Sequence, residues 1–236
     1  MAVFESDHRG SSSMRHHCHA SPYVTIVLSG TYVEVRDAIP ELCRSGTIVV
    51  HDAAEEHADR FASDTRCLNV ELSREIGASS LRGNVALDAA LLRDAVQRVV
   101  RSFYDSAREL PDAVRSLQEA LLQRSSEALP KRPHWLGHVI DVFPWAGTIP
   151  LREAAALAGV HETHFSRAFH RHVGMTANEY RVRSRVQLAS KLLLTTTASL
   201  ARIALTAGFS DQSHLTRTFR ERLDLSPGGY RRTFAR

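Results

Sequence analysis

With 236 residues the chain exceeds the ~100–200 of a typical domain and predicts two domains. A composition of 43% hydrophobic and 24% charged residues, with 12 Gly and 8 Pro, excludes collagen-like, low-complexity and wholly disordered chains. The net charge of +4 is unevenly placed: residues 1–134 hold 16 Lys and Arg against 19 Asp and Glu, whereas 135–236 hold 14 against 7, a net +7 segment of the kind that meets a polyanion.

The N-terminus carries acids and none of the apolar stretch of a secretory signal. Four short stretches rich in Val, Ile and Tyr follow at 23–28, 31–35, 47–50 and 67–72, broken by Ser29-Gly30, Pro40 and Ser45-Gly46. They read as strands, and the absence of a helical pattern between them predicts a small antiparallel barrel or sandwich over 1–82. The period then switches. Leu92, Val96, Val99 and Phe103, then Val114, Leu117 and Leu121 after Leu110-Pro111, recur at three and four residues and predict two amphipathic helices. Their apolar stripes can pack on the barrel or pair with a second subunit, and Pro130-Lys131-Arg132-Pro133 closes the segment as a linker. Everything beyond reads as helix, yet runs such as Leu192-Leu193-Leu194 fall far short of the ~20 apolar residues that span a bilayer. Three cysteines without CxxC spacing argue against a disulfide framework, and the expectation is a cytoplasmic protein with reduced thiols and no membrane partner.

Residues 151–173, LREAAALAGVHETHFSRAFHRHV, and 200–223, LARIALTAGFSDQSHLTRTFRERL, are one pattern written twice. Ala155 and Gly159 recur as Ala204 and Gly208 at an offset of 49; Phe165, Arg167 and Phe169 recur as Leu215, Arg217 and Phe219 at an offset of 50. A helix-turn-helix needs a small residue where its second helix crosses the first, then a glycine able to go left-handed in the turn, then apolar residues four apart on the buried face of the second helix. The opposite face stays polar: Thr163, Ser166 and Arg167 in the first unit, Gln212, Ser213, Thr216 and Arg217 in the second. These side chains hydrogen-bond base edges and phosphates in a major groove. The helical stretch 177–194 between the units is roughly 27 Å at ~1.5 Å per residue, the scale of two successive major grooves about 34 Å apart.

Arg185, Ala189, Leu192-Leu193, Ile203-Ala204, Gly208-Phe209, Arg217 and Phe219, then Ser226-Pro227 and Tyr230-Arg231, resemble the signature of the AraC/XylS family of bacterial transcription regulators over about 136–234. The resemblance implies an all-helical DNA-binding domain with two helix-turn-helix units. His161, Ala177, Leu215 and Asp224 stand where Ser, Pro, Phe and Gly are common, which leaves the helix ends open and the polar faces untouched. The N-terminal half is similar to the cupin-type sensory domains of that family, since His17-Cys18-His19, Ser29-Gly30, Gly46 and His57 follow the order of the two cupin motifs. By that resemblance His17, His19 and His57 would offer three nitrogens to Zn, Fe, Mn or Ni. Tyr23-Val24-Thr25 occupy the place of the Glu expected after the HxH, and the alternative is that the histidines hydrogen-bond an effector. Cys18, flanked by imidazoles, is a candidate redox thiolate, whereas Cys43 and Cys67 read as core fillers.

These readings predict an α+β chain: a small cupin-like β-barrel for effector sensing over 1–82, a helical linker that dimerises over 83–133, and an all-α domain with two helix-turn-helix units over 134–236. The expected function is sequence-specific transcription regulation, as activator or repressor and without enzymatic activity. Its expected partners are double-stranded DNA with adjacent major grooves, a small-molecule or metal effector, a second copy of the chain and RNA polymerase. The rival reading is a cupin-type metalloenzyme with an appended helical DNA-binding domain.

Overall fold

The computed structural model describes residues 2–73, 83–85, 90–126, 133–142 and 149–235. The chain forms two compact units, Met1–Glu127 and Ala128–Arg236. Of the expected linker, Pro130, Lys131 and Arg132 lie outside the described residues, as does the boundary expected at residue 82.

The first unit holds, among the described residues, β1 (Val3–His8), β2 (Ser13–His17), β3 (Tyr23–Ser29), β4 (Thr31–Arg36), β5 (Ile39–Arg44), β6 (Ile48–His51), β7 (His57–Phe61), β8 (Thr65–Glu71) and β9 (Gly83–Val85). All pair antiparallel, in a five-stranded sheet β1-β8-β3-β6-β9 and a four-stranded sheet β2-β7-β4-β5. The expected barrel is thus a two-sheet sandwich, with no pairing among the described residues that joins one sheet to the other. Val27, Val49 and Cys67 of the first sheet pack against Tyr32, Cys43 and Phe61 of the second, which places the sheets face to face. The interruption expected at Pro40 is instead part of β5, because β5 is an edge strand and needs no donor on its outer side.

Side chains alternate along each strand, so the five-stranded sheet has two working faces. Val24, Ile26, Ile48, Val50, Leu68 and Val70 point away from the second sheet and bury against α1 (Ala90–Asp105) and α2 (Leu110–Ser126). Leu92, Val96 and Val99 of α1 and Val114, Leu117 and Leu121 of α2 all lie in this core, so the helical stripes are used within the chain. Pro111 sits in the first turn of α2, where its missing N–H costs nothing.

The second unit is helical: α3 (His134–Val142), α4 (Leu151–Leu157), α5 (Glu162–Val173), α6 (Ala177–Thr195), α7 (Leu200–Thr206), α8 (Gln212–Leu223) and α9 (Pro227–Phe234). α4 and α5 form one hairpin, α7 and α8 the other, with α6 packed against α5, α7, α8 and α9. Ala155 and Ala204 are buried at the crossings, and Phe165, Phe169, Leu215 and Phe219 are fully enclosed, each fully buried side chain contributing about 1.5–3 kcal/mol. Gly159 and Gly208 take the left-handed turn conformation with φ of 68° and 82°. The departures from the family pattern are accommodated locally. His161 Nδ1 accepts from the Thr163 N–H as the N-cap of α5, Thr176 and Glu179 close a capping box on α6, and Asp224 takes the left-handed C-cap of α8 at φ 53°.

Candidate functional site

The two hairpins present matched polar faces. On α5, Thr163 and Arg167 are exposed and Ser166 is half-buried; on α8, Gln212, Ser213 and Arg217 are exposed and Thr216 is half-buried. None of the seven is buried with the enclosed Phe165/Phe169 and Leu215/Phe219 pairs. Thr216 Oγ1 donates to its own helix at Gln212 O, 2.8 Å away, which leaves its methyl group and lone pairs outward. A shallow groove along α8 is lined by Gln212, Ser213, Thr216 and Arg217, and continues to Arg220 and Glu221. The last two extend the i, i+4, i+8 rows that start at Gln212 and Ser213; the sequence reading stopped one turn short of them.

The sandwich encloses a cavity of about 240 Å³ between its sheets. One side is a hydrogen-bonded row across three strands: Thr25 Oγ1 donates to Asn69 Oδ1 at 2.9 Å, Asn69 Nδ2 donates to Ser6 Oγ at 2.9 Å, and Ser6 Oγ meets His8 Nε2 at 3.1 Å. His17, His19 and His57 converge at the cavity, their ligating nitrogens all within 4.8 Å of one another. β2 ends at His17 and His19 lies beyond it, yet the two rings are 5.1 Å apart. His17 Nδ1 is hydrogen-bonded to Arg15 O at 2.8 Å and His57 Nδ1 to Glu55 O at 3.2 Å, which leaves Nε2 as the free-electron-pair nitrogen of each ring. Tyr23 Oη meets His57 Nε2 at 3.1 Å, so an ion taking that nitrogen displaces the tyrosine hydroxyl. Burial holds His57 down to about 4 and, with His17 nearby, lowers His19, so both rings are neutral donors at pH 7. The set fits a divalent ion through three nitrogens.

Deeper in the cavity stand residues that the sequence reading did not single out. Glu34 on β4 and Asp59 on β7 are 1% and 6% exposed. Burial pushes Glu34 up to about 8 against the pull of Arg36, whose Nε lies 2.8 Å from Glu34 Oε1. Burial likewise pushes Asp59 up to about 7. His51 Nε2 approaches Glu34 Oε2 at 3.6 Å, and burial keeps this ring well below the usual imidazole range. His51 Nδ1 and Asp59 Oδ1 are buried without a hydrogen-bond partner, although both side chains line the cavity. Cys18 is exposed, while Cys43 and Cys67 are buried and their thiols are raised by burial, Cys67 to about 12, which leaves them unreactive fillers.

Residues 154–233 match a protein-family model described as a helix-turn-helix domain. Over 165 residues the chain is 32% identical to the transcriptional activator NphR of a Rhodococcus species, covering 69% of this chain and 48% of that protein. Over 83 residues it is 31% identical to an uncharacterized HTH-type transcriptional regulator of Haemophilus influenzae, covering 35% and 28%. The chain therefore spans about half the length, or less, of these curated relatives. Among solved structures, ToxT from Vibrio cholerae aligns over 99% of this chain and 98% of its own at 11% identity, with a TM-score of 0.45. Residues 154–233 thus form a helix-turn-helix domain, built as two matched hairpins with left-handed glycines and polar outer faces.

Proposed function

We propose that this chain is a sequence-specific transcriptional regulator whose α5 and α8 read duplex DNA in adjacent major grooves, under control of an effector held in the N-terminal cavity. The observation that carries the reading is the duplication itself: two hairpins with the same buried face and the same polar face, in a segment of net charge +7. Phosphate contacts from its arginines would position the domain, and Thr163, Ser166, Arg167, Gln212, Ser213, Thr216 and Arg217 would select the bases. The reading includes a homodimer, which would set two such domains on paired half-sites, and RNA polymerase as the partner through which transcription rises or falls. Selection of duplexes from a random pool, followed by affinity measurement against scrambled DNA, tests it. A specificity ratio of about 10³ or more supports a regulator, and a ratio near one overturns it in favour of sequence-indifferent binding.

The convergence of His17, His19 and His57 supports a second element of the reading: a divalent metal, Zn, Fe, Mn or Ni, held by three imidazole nitrogens at the cavity. When bound it would supply an electrophilic centre with open positions for an effector's donor atoms. Metal analysis of the untagged protein beside a His17→Ala/His57→Ala variant tests this. Stoichiometric metal lost in the variant supports the site; a metal-free wild type that takes up no added ion retires it.

A further inference from the structure

We infer that the cavity takes a small organic cation, a compact primary amine or its like, with its ammonium group against Asp59 and His51. The inference rests on the effector reading of the cavity and names the chemistry of what enters it.

Three observations converge. The first is charge. Glu34, Asp59 and Glu71 line the cavity, whereas no Lys or Arg does among the described residues. Arg36, whose guanidinium lies beside the cavity residue Glu34, is already shared: it contacts Glu34 at 2.8 Å, donates to Val50 O at 3.1 Å and approaches Glu55 at 3.5 Å. Asp59 makes no direct ion pair among the described residues, and the field of Arg36 offsets only part of the cost of burying its carboxyl. The second is hydrogen bonding. Asp59 Oδ1 and His51 Nδ1 both line the cavity unpartnered, an acceptor and a neutral imidazole nitrogen. An ammonium carries three donors, one for Asp59 Oδ1 and one for His51 Nδ1 in the tautomer that leaves this nitrogen unprotonated. The row Thr25–Asn69–Ser6–His8 is by contrast internally paired and offers no such vacancy. The third is the remaining wall. Phe4, Met14, Tyr32 and Phe61 give it apolar and aromatic surface, which suits a hydrocarbon or aromatic body and lets ring faces attract a cation.

A bare metal ion does not fit these groups equally well. The three-residue ligand group is made of His17, His19 and His57 and includes no carboxylate, so the acids are not used there. Size sets the upper limit. About 240 Å³ is the room of roughly eight waters at ~30 Å³ each, below the ~300–1,000 Å³ of drug-sized sites.

Benzylammonium, benzyl alcohol and benzoate share one small aromatic body and differ in the charge of the headgroup. Isothermal titration of the full chain at pH 7 with each probe, repeated on Asp59→Asn, tests the inference. The expected result is saturable one-to-one binding of benzylammonium, roughly tenfold or more tighter than benzyl alcohol, with benzoate weakest. Asp59→Asn, nearly isosteric and without the charge, is expected to remove that preference while melting no lower than the wild type. Equal binding of the amine and the alcohol overturns the inference, as does preference for benzoate; in both cases the cavity still receives a ligand and the effector reading stands. Failure of all three probes overturns the inference too, and takes with it the reading of the cavity as a site for a compact aromatic effector. The wild-type comparison decides the matter by itself if the variant does not fold.

Discussion

Glu34 on β4 stands directly opposite Asp59 on β7, so two carboxyls meet as cross-strand neighbours inside the sandwich. Like charges directly opposite each other destabilise a sheet, and burial adds to the cost. Both groups hold their protons to higher pH in the folded chain, to about 8 and about 7, than in the unfolded chain, where carboxyls ionise near ~4. The folded state therefore binds more protons across that window. The contribution of the pair to stability is full below about pH 4 and is lost as pH rises through the folded values. The buried rings of His57 and His51, held neutral, act in the opposite sense, so the share of the pair is read in urea unfolding of the full chain as the difference in pH slope between wild type and Glu34→Gln from pH 5 to pH 8. Glu34→Gln should lose less stability toward pH 8, or gain more, than the wild type, and an unchanged slope would remove Glu34 as a source.

Arg217 lies exposed on the polar face of α8, four residues beyond Ser213 and one turn before Glu221. Its replacement by Ala is expected to cost about 1–3 kcal/mol on selected DNA and to relax preference at one base position. Loss of an arginine that touches only phosphate should instead weaken all sequences alike and reduce the salt slope by ~1. Equal loss on selected and random duplexes for Arg217→Ala would refute its assignment to base readout.

Tyr23 occupies the lone pair of His57 that a metal would use. Tyr23→Phe is expected to raise zinc affinity several-fold, the worth of roughly 1 kcal/mol of hydrogen bond no longer displaced, whereas His57→Ala should abolish it. Competition against a colorimetric chelator reads both, and a weaker site in Tyr23→Phe would show that the hydroxyl supports the ligand set.

The two turn glycines differ in their surroundings. A methyl group at Gly208 would stand 3.1 Å from Arg185 Nε, whereas one at Gly159 would meet nothing within 4 Å. Both substitutions pay roughly 1–2 kcal/mol for a left-handed non-glycine residue, and Gly208→Ala adds the displacement of Arg185. Thermal denaturation is expected to rank Gly208→Ala below Gly159→Ala; the reverse order would mean that Arg185 moves freely aside.

The helical half was legible because its geometry is strict. An alanine at each crossing and a glycine four residues later leave little other way to fold; of the polar residues named from the pattern, Thr163, Arg167, Gln212, Ser213 and Arg217 are exposed and Ser166 and Thr216 half-buried. The β half was legible where strands are rich in Val, Ile and Tyr, most plainly in β3 and β6, whose residues face a helix on one side and the other sheet on the other. β1, β2 and β7 carry Glu, Asp, Arg and His in a short span and so lack that signature. The cavity acids were missed for the same reason: Glu34 reads as a solvent-side residue until its parity with Tyr32 is noticed, two positions back on the same face. His17 and His57 were named through the cupin resemblance, which does not reveal that the Tyr23 hydroxyl already meets His57 Nε2.

The two working faces of the five-stranded sheet have a mechanical meaning. Asn69 touches the cavity while its neighbours Leu68 and Val70 are locked into α1 and α2, and Thr25 stands in the same way between Val24 and Ile26. A strand cannot translate one set of side chains without the other. A displacement of the Thr25–Asn69 pair would therefore reach the helical layer through the same two strands, and under the effector reading the sheet would link cavity and helices as a pushrod does.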